Sequence, residues 1–215
     1  MPWQDVKVVV LGDMGVGKTS LVERFCLDRF RDSYNSTIGM KPYEKVIHAP
    51  DMEYKVYIWD TAGQERYRSV TSHFVVRAMG CLLVFDVMDP ESLNNALNYW
   101  YVKVKEWDPD LPIVLVANKV DRVNDNSFFS TKRRALTFCK ENNIHMYETS
   151  ARTGDGVVNA FLDAANVLGN YRHDPKDEDL FMRSIRLTES SFELEEDGVL
   201  YPERRKKKGF SFKCC

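Results

Sequence analysis

The chain of 215 residues lacks any apolar run as long as the roughly 18 residues that a membrane-spanning helix needs. Cysteine is scarce, and Cys26, Cys81 and Cys139 lie in apolar stretches, which indicates buried thiols in a reducing cytosol and no disulfide framework. The segment before the first strand is too short and polar for a secretory signal, and Pro2 stands where N-myristoylation requires Gly. A formal net charge of -2 disfavours binding of nucleic acid. We therefore expect any membrane contact to come from the C-terminal end.

Apolar runs alternate with helical patterns through residues 1–170. Short runs rich in β-branched residues predict strands at 6–11, 43–48, 54–60, 81–85, 113–117 and 144–147. Apolar residues at helical spacing predict helices that start near residue 17 and that span 92–107, 131–140 and 156–168. Strands that alternate with helices indicate an α/β fold with a mostly parallel sheet. We expect this domain to end near Asn170.

The remaining residues, 171–215, differ in character. No convincing periodicity runs through 171–203, and acidic residues outnumber basic ones over 174–203. From Arg204 onward every charged side chain is basic, and the chain ends in Cys214-Cys215. Separate blocks of charge are typical of a flexible interaction tail.

A phosphate-binding loop is predicted at Gly12–Thr19, which reads GDMGVGKT and lies between a strand and a helix. Its glycines allow a tight turn that aims backbone N–H groups at phosphate, beside the positive end of the helix. Lys18 would reach the outer phosphates and Thr19 would offer a hydroxyl to Mg²⁺. The alternative is an ordinary glycine-rich turn, which the strand–loop–helix context disfavours. The predicted phosphate ligands here are Gly15, Val16, Gly17, Lys18, Thr19 and Ser20.

Two further segments fit the same site. Asp60 closes a strand and is followed by Thr61-Ala62-Gly63-Gln64-Glu65. Its carboxylate would orient a water on Mg²⁺, Gly63 would present its N–H to the γ-phosphate, and Gln64 would hold the attacking water. Thr37, in a polar loop, would complete the metal shell when a γ-phosphate is present; because an exposed loop threonine normally has no such role, this assignment depends on the base-binding motifs further along the chain. The expected metal ligands are therefore Thr19, Thr37 and Asp60, and the expected catalytic residue is Gln64.

A base-binding site is predicted from two motifs that follow later strands. In Asn118-Lys119-Val120-Asp121, the Asp121 carboxylate can accept two N–H bonds from guanine, whereas adenine would leave it unpaired. Lys119 would lie along the base plane, and Asn118 would tie this loop to the phosphate loop. In Glu148-Thr149-Ser150-Ala151, the N–H of Ala151 would meet the guanine O6. Each motif alone is weak, but their order at successive strand ends is specific.

These motifs together resemble the Ras superfamily of small GTP-binding proteins, and within it the Rab family most closely. The resemblance covers roughly residues 6–170 and the extreme C-terminus, and rests on GDMGVGKT, Thr37, DTAGQE, NKVD and ETSA. It implies a P-loop GTPase fold with a mostly parallel six-stranded sheet and about five flanking helices. It also implies that Phe30 packs on the guanine and that Tyr34 covers the phosphates. The implied guanine ligands are Phe30, Asn118, Lys119, Asp121, Ser150, Ala151 and Arg152.

The resemblance implies a GTP/GDP switch in vesicle-mediated intracellular transport, with Mg²⁺ as cofactor and GTP hydrolysis that is slow without an activating protein. The expected partners are an activating protein, an exchange factor, a GDP-dissociation inhibitor, a Rab escort protein and effectors, acting on a monomeric domain. The terminal Cys214 and Cys215 resemble a double geranylgeranylation site. Together with the basic run Arg204–Lys208, they predict a protein that is found in the cytosol and anchored to the cytoplasmic face of an intracellular membrane.

Several positions depart from the family pattern. Lys41 reverses a charge on the surface that effectors read, and Pro42 suits only a strand edge or start. Met14 is bulky where the family keeps a small residue, at the place where an activating protein's arginine would enter. These departures motivate a GTP-binding scaffold with little hydrolysis as an alternative. A Ran-like nuclear-transport GTPase is a second alternative, against which the terminal cysteines argue.

Overall fold

The computed structural model describes residues 3–32, 37, 40–48, 53–62, 68–123, 127–169, 192–194 and 200–202. The strands are β1 (Trp3–Leu11), β2 (Met40–His48), β3 (Glu53–Thr61), β4 (Gly80–Asp86), β5 (Ile113–Asn118), β6 (His145–Thr149), β7 (Phe192–Leu194) and β8 (Leu200–Pro202). The α-helices are α1 (Lys18–Leu27), α2 (Arg68–Val75), α3 (Pro90–Asn95), α4 (Tyr101–Trp107), α5 (Ser127–Asn142) and α6 (Val157–Gly169). A π-helical segment, Ala96–Trp100, joins α3 to α4, and Val120–Arg122 forms a 3₁₀ turn.

The strands form one sheet in the order β6-β5-β4-β1-β3-β2-β8-β7. β1, β3, β4, β5 and β6 run parallel, whereas β2 pairs antiparallel with β3. These first six strands confirm the predicted α/β fold. β7 and β8, which the sequence analysis did not predict, pair with each other and meet β2 through Leu200 and Met40. Pro42 lies near the start of β2, opposite Trp59, as its missing N–H requires.

Side chains of the central strands alternate between two buried clusters, one on each face of the sheet. Val6, Val8 and Val10 pack on one face with Val22 and Phe25 of α1 and with Phe161 of α6. The rings of Phe25 and Phe161 stack with their centroids 4.0 Å apart. On the opposite face, Val9, Leu11, Leu83 and Phe85 pack with Leu93, Leu97, Trp100 and Val104. Because both faces are covered, these strands read in the sequence as continuous apolar runs.

The helices differ from their predicted extents in three places. The predicted helix 92–107 starts at Pro90, where Asp89 accepts a hydrogen bond from Glu91 N at 3.0 Å, and it contains the π-helical segment. Helix α5 begins at Ser127, earlier than the predicted residue 131, and α2 was not predicted. Among the described residues no helix is sufficiently long and apolar to cross a membrane. The parallel strands all end at one edge of the sheet, where the predicted site residues follow them.

Candidate functional site

The loop between β1 and α1 has the backbone geometry that its glycines predict. Gly12 has φ of 139°, and a Cβ atom there would lie 2.2 Å from the carbonyl oxygen of Val84. Gly17 has φ of 98° and caps α1, and a Cβ there would lie 2.4 Å from Nδ2 of Asn118. Both positions therefore require glycine, and the positive N-terminal end of α1 opens onto the loop.

Lys18, the first residue of α1, directs its ammonium group into the loop. The residue is 5% exposed, and Nζ donates to the carbonyl oxygens of Gly12 at 2.8 Å and Asp13 at 2.7 Å. Burial lowers the pKa of Lys18 to about 8, although the carboxylates of Asp60 and Asp13 oppose that shift. A buried cation beside a helix N-terminus suits the binding of phosphate oxygens.

Thr19, Thr37 and Asp60, the three predicted metal ligands, come together in the structure. Thr19 Oγ1 donates to Asp60 Oδ2 at 2.6 Å and lies 2.7 Å from Thr37 Oγ1. Asp60 is fully buried, and its Oδ1 has no hydrogen-bond partner among the described residues. Burial raises the pKa of Asp60 to about 6, while the hydrogen bond from Thr19 and the charge of Lys18 oppose the rise. A carboxylate with an unpartnered buried oxygen beside two hydroxyls fits Mg²⁺, which prefers oxygen ligands.

Asn118, at the end of β5, links the base-binding motifs to the phosphate loop as predicted. Its Nδ2 donates to the carbonyl oxygen of Val16 at 2.9 Å. Its Oδ1 accepts from the N–H of Ala151 and from Oγ1 of Thr149, each at 3.3 Å. Because Asn118 is 1% exposed, water does not replace these partners, and one side chain fixes three loops relative to one another.

Lys119 and Asp121 occupy the turn after β5. Lys119 has φ of 67°, and its Nζ lies 2.7 Å from both the carbonyl oxygen of Gly15 and Oδ2 of Asp86. Asp121 is exposed, and its Oδ1 accepts from Oγ of the buried Ser150 at 2.5 Å. This bond leaves Oδ2 of Asp121 as a further acceptor and holds the carboxylate in one orientation.

The remaining predicted residues differ in how far they are buried. Val16 is buried, Gly15 is exposed, and Ser20 is half-buried on α1. Phe30 is half-buried and packs against the cluster that contains Phe25. Ala151 is buried and Arg152 is exposed. Tyr34, Gly63, Gln64, Cys214 and Cys215 lie outside the described residues, so their predicted roles stay predictions.

Three residues that the sequence analysis missed hold the site together. Arg24 of α1 donates from Nε to the carbonyl oxygen of Ala151 at 2.9 Å and from Nη2 to that of Arg152 at 3.0 Å. Asp86, at the end of β4, pairs with Lys119. The carboxylate of Asp13 accepts two hydrogen bonds from the helix after β4. For Asp86 the signal was available, because it closes β4, as the sequence predicted Asp60 to close its strand.

The loop, the buried lysine, the oxygen cluster and the turns after β5 and β6 define a P-loop protein. Residues 7–169 match the family model described as Ras family. Rab-like protein 2B from Homo sapiens is 33% identical over 200 residues, which cover 93% of this chain and 83% of the relative. Rab-like protein 2A from Mus musculus is 33% identical over 193 residues, with coverage of 90% and 82%. Ras-related protein Rab7 from Cenchrus ciliaris is 40% identical over 162 residues, with coverage of 73% and 78%.

The chain therefore belongs to the Ras family and is a divergent small GTPase of the Rab type. The family match covers the six strands β1–β6 and the flanking helices. It confirms the resemblance that the motifs carried, and with it the P-loop GTPase fold.

Proposed function

We propose that this protein is a GTP/GDP switch that uses Mg²⁺ and hydrolyses GTP. The main support for this proposal is the distance of 2.7 Å between Oγ1 of Thr37 and Oγ1 of Thr19, beside the buried Asp60. Thr37 belongs to the connection between α1 and β2, so its hydroxyl joins that connection to the phosphate loop. With GTP bound, Thr37 holds the connection between α1 and β2 toward the γ-phosphate, and Gly63 does the same for the segment that follows β3. When hydrolysis removes this phosphate, the loops relax and the surface offered to partners changes.

Guanine is the base that the site is proposed to select. The carboxylate of Asp121, oriented by Ser150, accepts the two N–H bonds of the guanine edge, while Phe30 packs on the ring. Lys119 lies along the base plane and Asn118 supports the loop. Adenine presents an acceptor at N1 and lacks the 2-amino group, so it leaves the carboxylate unpaired. Such a site discriminates by about 10⁴–10⁵.

Hydrolysis is proposed to use Gln64 to position the attacking water. Turnover is expected on the order of 10⁻⁴–10⁻² s⁻¹ without a partner, and about 10³–10⁵ times faster when an activating protein supplies an arginine. A second candidate function, a GTP-bound scaffold with little turnover, is supported by Met14, which is 57% exposed in the phosphate loop. That thioether would obstruct an arginine arriving from a partner.

The C-terminal segment, residues 171–215, is proposed as a hypervariable tail that follows the domain at 1–170, contributes β7 and β8 to the edge of its sheet, and carries geranylgeranyl groups on Cys214 and Cys215. Each buried CH₂ contributes about 0.8 kcal/mol, and one lipid chain alone anchors only marginally. The basic residues Arg204–Lys208 add attraction to anionic lipid, up to about 1 kcal/mol each. This anchor would place the switch on the cytoplasmic face of an intracellular membrane in vesicle transport. A GDP-dissociation inhibitor and an escort protein would handle the lipidated chain.

Hydrolysis is tested by single-turnover assays of the wild type and Gln64→Leu, with Mg²⁺ and with or without a cell lysate as source of activating protein. We expect Gln64→Leu to slow hydrolysis and to leave GDP affinity nearly intact. A wild type that binds GTP but turns over in neither condition would favour the scaffold. Equal rates for both proteins would remove Gln64 from the mechanism.

The membrane anchor is tested by fractionation of cells that express the wild type or Cys214→Ser with Cys215→Ser. We expect the wild type in the membrane fraction and the variant in the supernatant. Sedimentation of the variant with membranes would contradict lipid anchoring.

A further inference from the structure

The side chain of Asp13 attaches the phosphate loop to the helix after β4. The residues of that helix belong to none of the nucleotide motifs. The Oδ2 atom of Asp13 accepts from Nδ2 of Asn95 at 2.7 Å, and its Oδ1 accepts from Nε1 of Trp100 at 2.8 Å. Trp100 is 3% exposed, so its indole N–H is shielded from water. Both oxygens of one carboxylate are therefore held by donors from a single helical segment.

The π-helical segment explains how one carboxylate reaches both donors. In an α-helix of 3.6 residues per turn, residues five apart point about 140° away from each other. Asn95 and Trp100 are five apart, but Ala96–Trp100 is π-helical, and the N–H of Tyr101 donates to the carbonyl oxygen of Ala96. The wider turn brings residues five apart onto one face. The π-helical segment thus aligns the amide and the indole toward Asp13.

The attachment completes a set of three that fix the phosphate loop. The carbonyl oxygen of Gly15 is held by Lys119, in the turn after β5, and that of Val16 by Asn118, the last residue of β5. Asp13 fixes the other end of the loop, and its own carbonyl oxygen accepts from Lys18 at 2.7 Å. Its carboxylate would repel phosphate, but its two hydrogen bonds neutralise part of that charge and turn it toward the helix.

We propose that Asp13 is a positioning residue, which acts through Asn95 and Trp100 to hold the phosphate loop in its nucleotide-binding shape and so slows nucleotide release. This inference rests on the proposed nucleotide site and adds a determinant of its kinetics. It also links that site to the helix after β4, because a shift of the loop must displace Trp100 or break its hydrogen bond to Asp13.

The first test compares release of fluorescent GDP from the wild type, Asp13→Ala and Trp100→Phe. Asp13→Ala loses both charge-assisted bonds, so we expect release about 10- to 100-fold faster. Trp100→Phe keeps a ring but loses the N–H donor, so we expect a smaller increase. Because both act through one contact, the double variant should release GDP more slowly than the two effects multiplied. Asn94→Ala is the matched control, since Asn94 bonds Glu91 and Arg134 instead.

The second test exchanges donor and acceptor. Asp13→Asn combined with Asn95→Asp restores both bonds, because the new amide donates to the new carboxylate and accepts from Trp100. Asn95→Asp alone places two carboxylates opposite each other, so we expect it to speed GDP release, and we expect the double exchange to recover most of the slow release. If Asp13 did not act through residue 95, Asp13→Asn would not rescue Asn95→Asp.

A third readout follows the indole N–H of Trp100 by NMR, with its signal assigned from Trp100→Phe. We expect Asp13→Ala to move this signal upfield and to speed its exchange with solvent. An unmoved signal, or wild-type GDP release in Asp13→Ala, would overturn the proposal. A wild type that binds no guanine nucleotide would instead contradict the proposed function, whereas the NMR readout would still report on the attachment.

Discussion

Replacing Asn118 with Ala removes the side chain that ties three loops of the site together. The change deletes a hydrogen bond of 2.9 Å to Val16 and two of 3.3 Å from Ala151 and Thr149, all at a residue that is 1% exposed. Each such bond contributes about 0.5–1.5 kcal/mol, and buried partners left unpaired cost more. The two long bonds count for less, so we expect a loss of about 2–4 kcal/mol. If this loss falls on nucleotide binding, GDP affinity drops about 30- to 1,000-fold.

The assay is titration of nucleotide-free protein with fluorescent GDP, together with thermal unfolding of the same samples. Asn142→Ala is the matched control, because Asn142 also uses its amide, to Phe138 at 2.9 Å and from Tyr101 at 3.1 Å, but away from the site. Both variants should unfold at lower temperature, and only Asn118→Ala should lose GDP affinity. A GDP dissociation constant for Asn118→Ala within threefold of the wild type would refute the reasoning.

Three further predictions concern the base, the metal and the thiols. Asp121→Asn should shift preference from guanine toward xanthine nucleotides, because an amide can donate to the 2-oxygen of xanthine; unchanged selectivity in competition binding would contradict this role. Because burial raises the pKa of Asp60 to about 6, the apparent Mg²⁺ affinity should fall up to about tenfold per pH unit below pH 6. The metal-free protein should instead gain stability as the pH falls from 6 toward 4. Mg²⁺ titrations and unfolding experiments at several pH values check these opposite trends. Burial raises the pKa of Cys26 and of Cys139 to about 11, so about 0.1% of each is thiolate at pH 8 and iodoacetamide should modify them slowly; rapid labelling by mass spectrometry would disagree.

The sequence was sufficient for the features that depend on local pattern. The apolar runs before Gly12 and Asn118 predicted β1 and β5 because both faces of these strands are buried. Asp60 was predicted because the sequence places it at the end of a strand beside the phosphate loop, and in the structure that strand runs one residue further, to Thr61. The proximity of Asp60 to Thr19 followed from the rule that parallel strands end at one edge, whereas Thr37 was assigned from the resemblance to the family.

The contacts that the sequence did not predict depend on tertiary geometry. The pairing of Asp13 with Trp100 needs the π-helical segment, and no residue in Ala96–Trp100 marks such a turn in the sequence. Arg24 reaches the carbonyl oxygens of the loop at Ala151 only because α1 and α6 pack side by side. Helix α2 spans only eight residues, which is shorter than the window over which helical periodicity is recognised, so its start at Arg68 was not visible.

The most direct measurement is the identity and turnover of the nucleotide that the purified full-length protein carries. We expect extraction and chromatography to yield GDP or GTP in near-equal amount to the protein, and single-turnover assays with Mg²⁺ to show slow hydrolysis of GTP. Adenine nucleotide, or no nucleotide together with no binding of added GTP, would contradict the account.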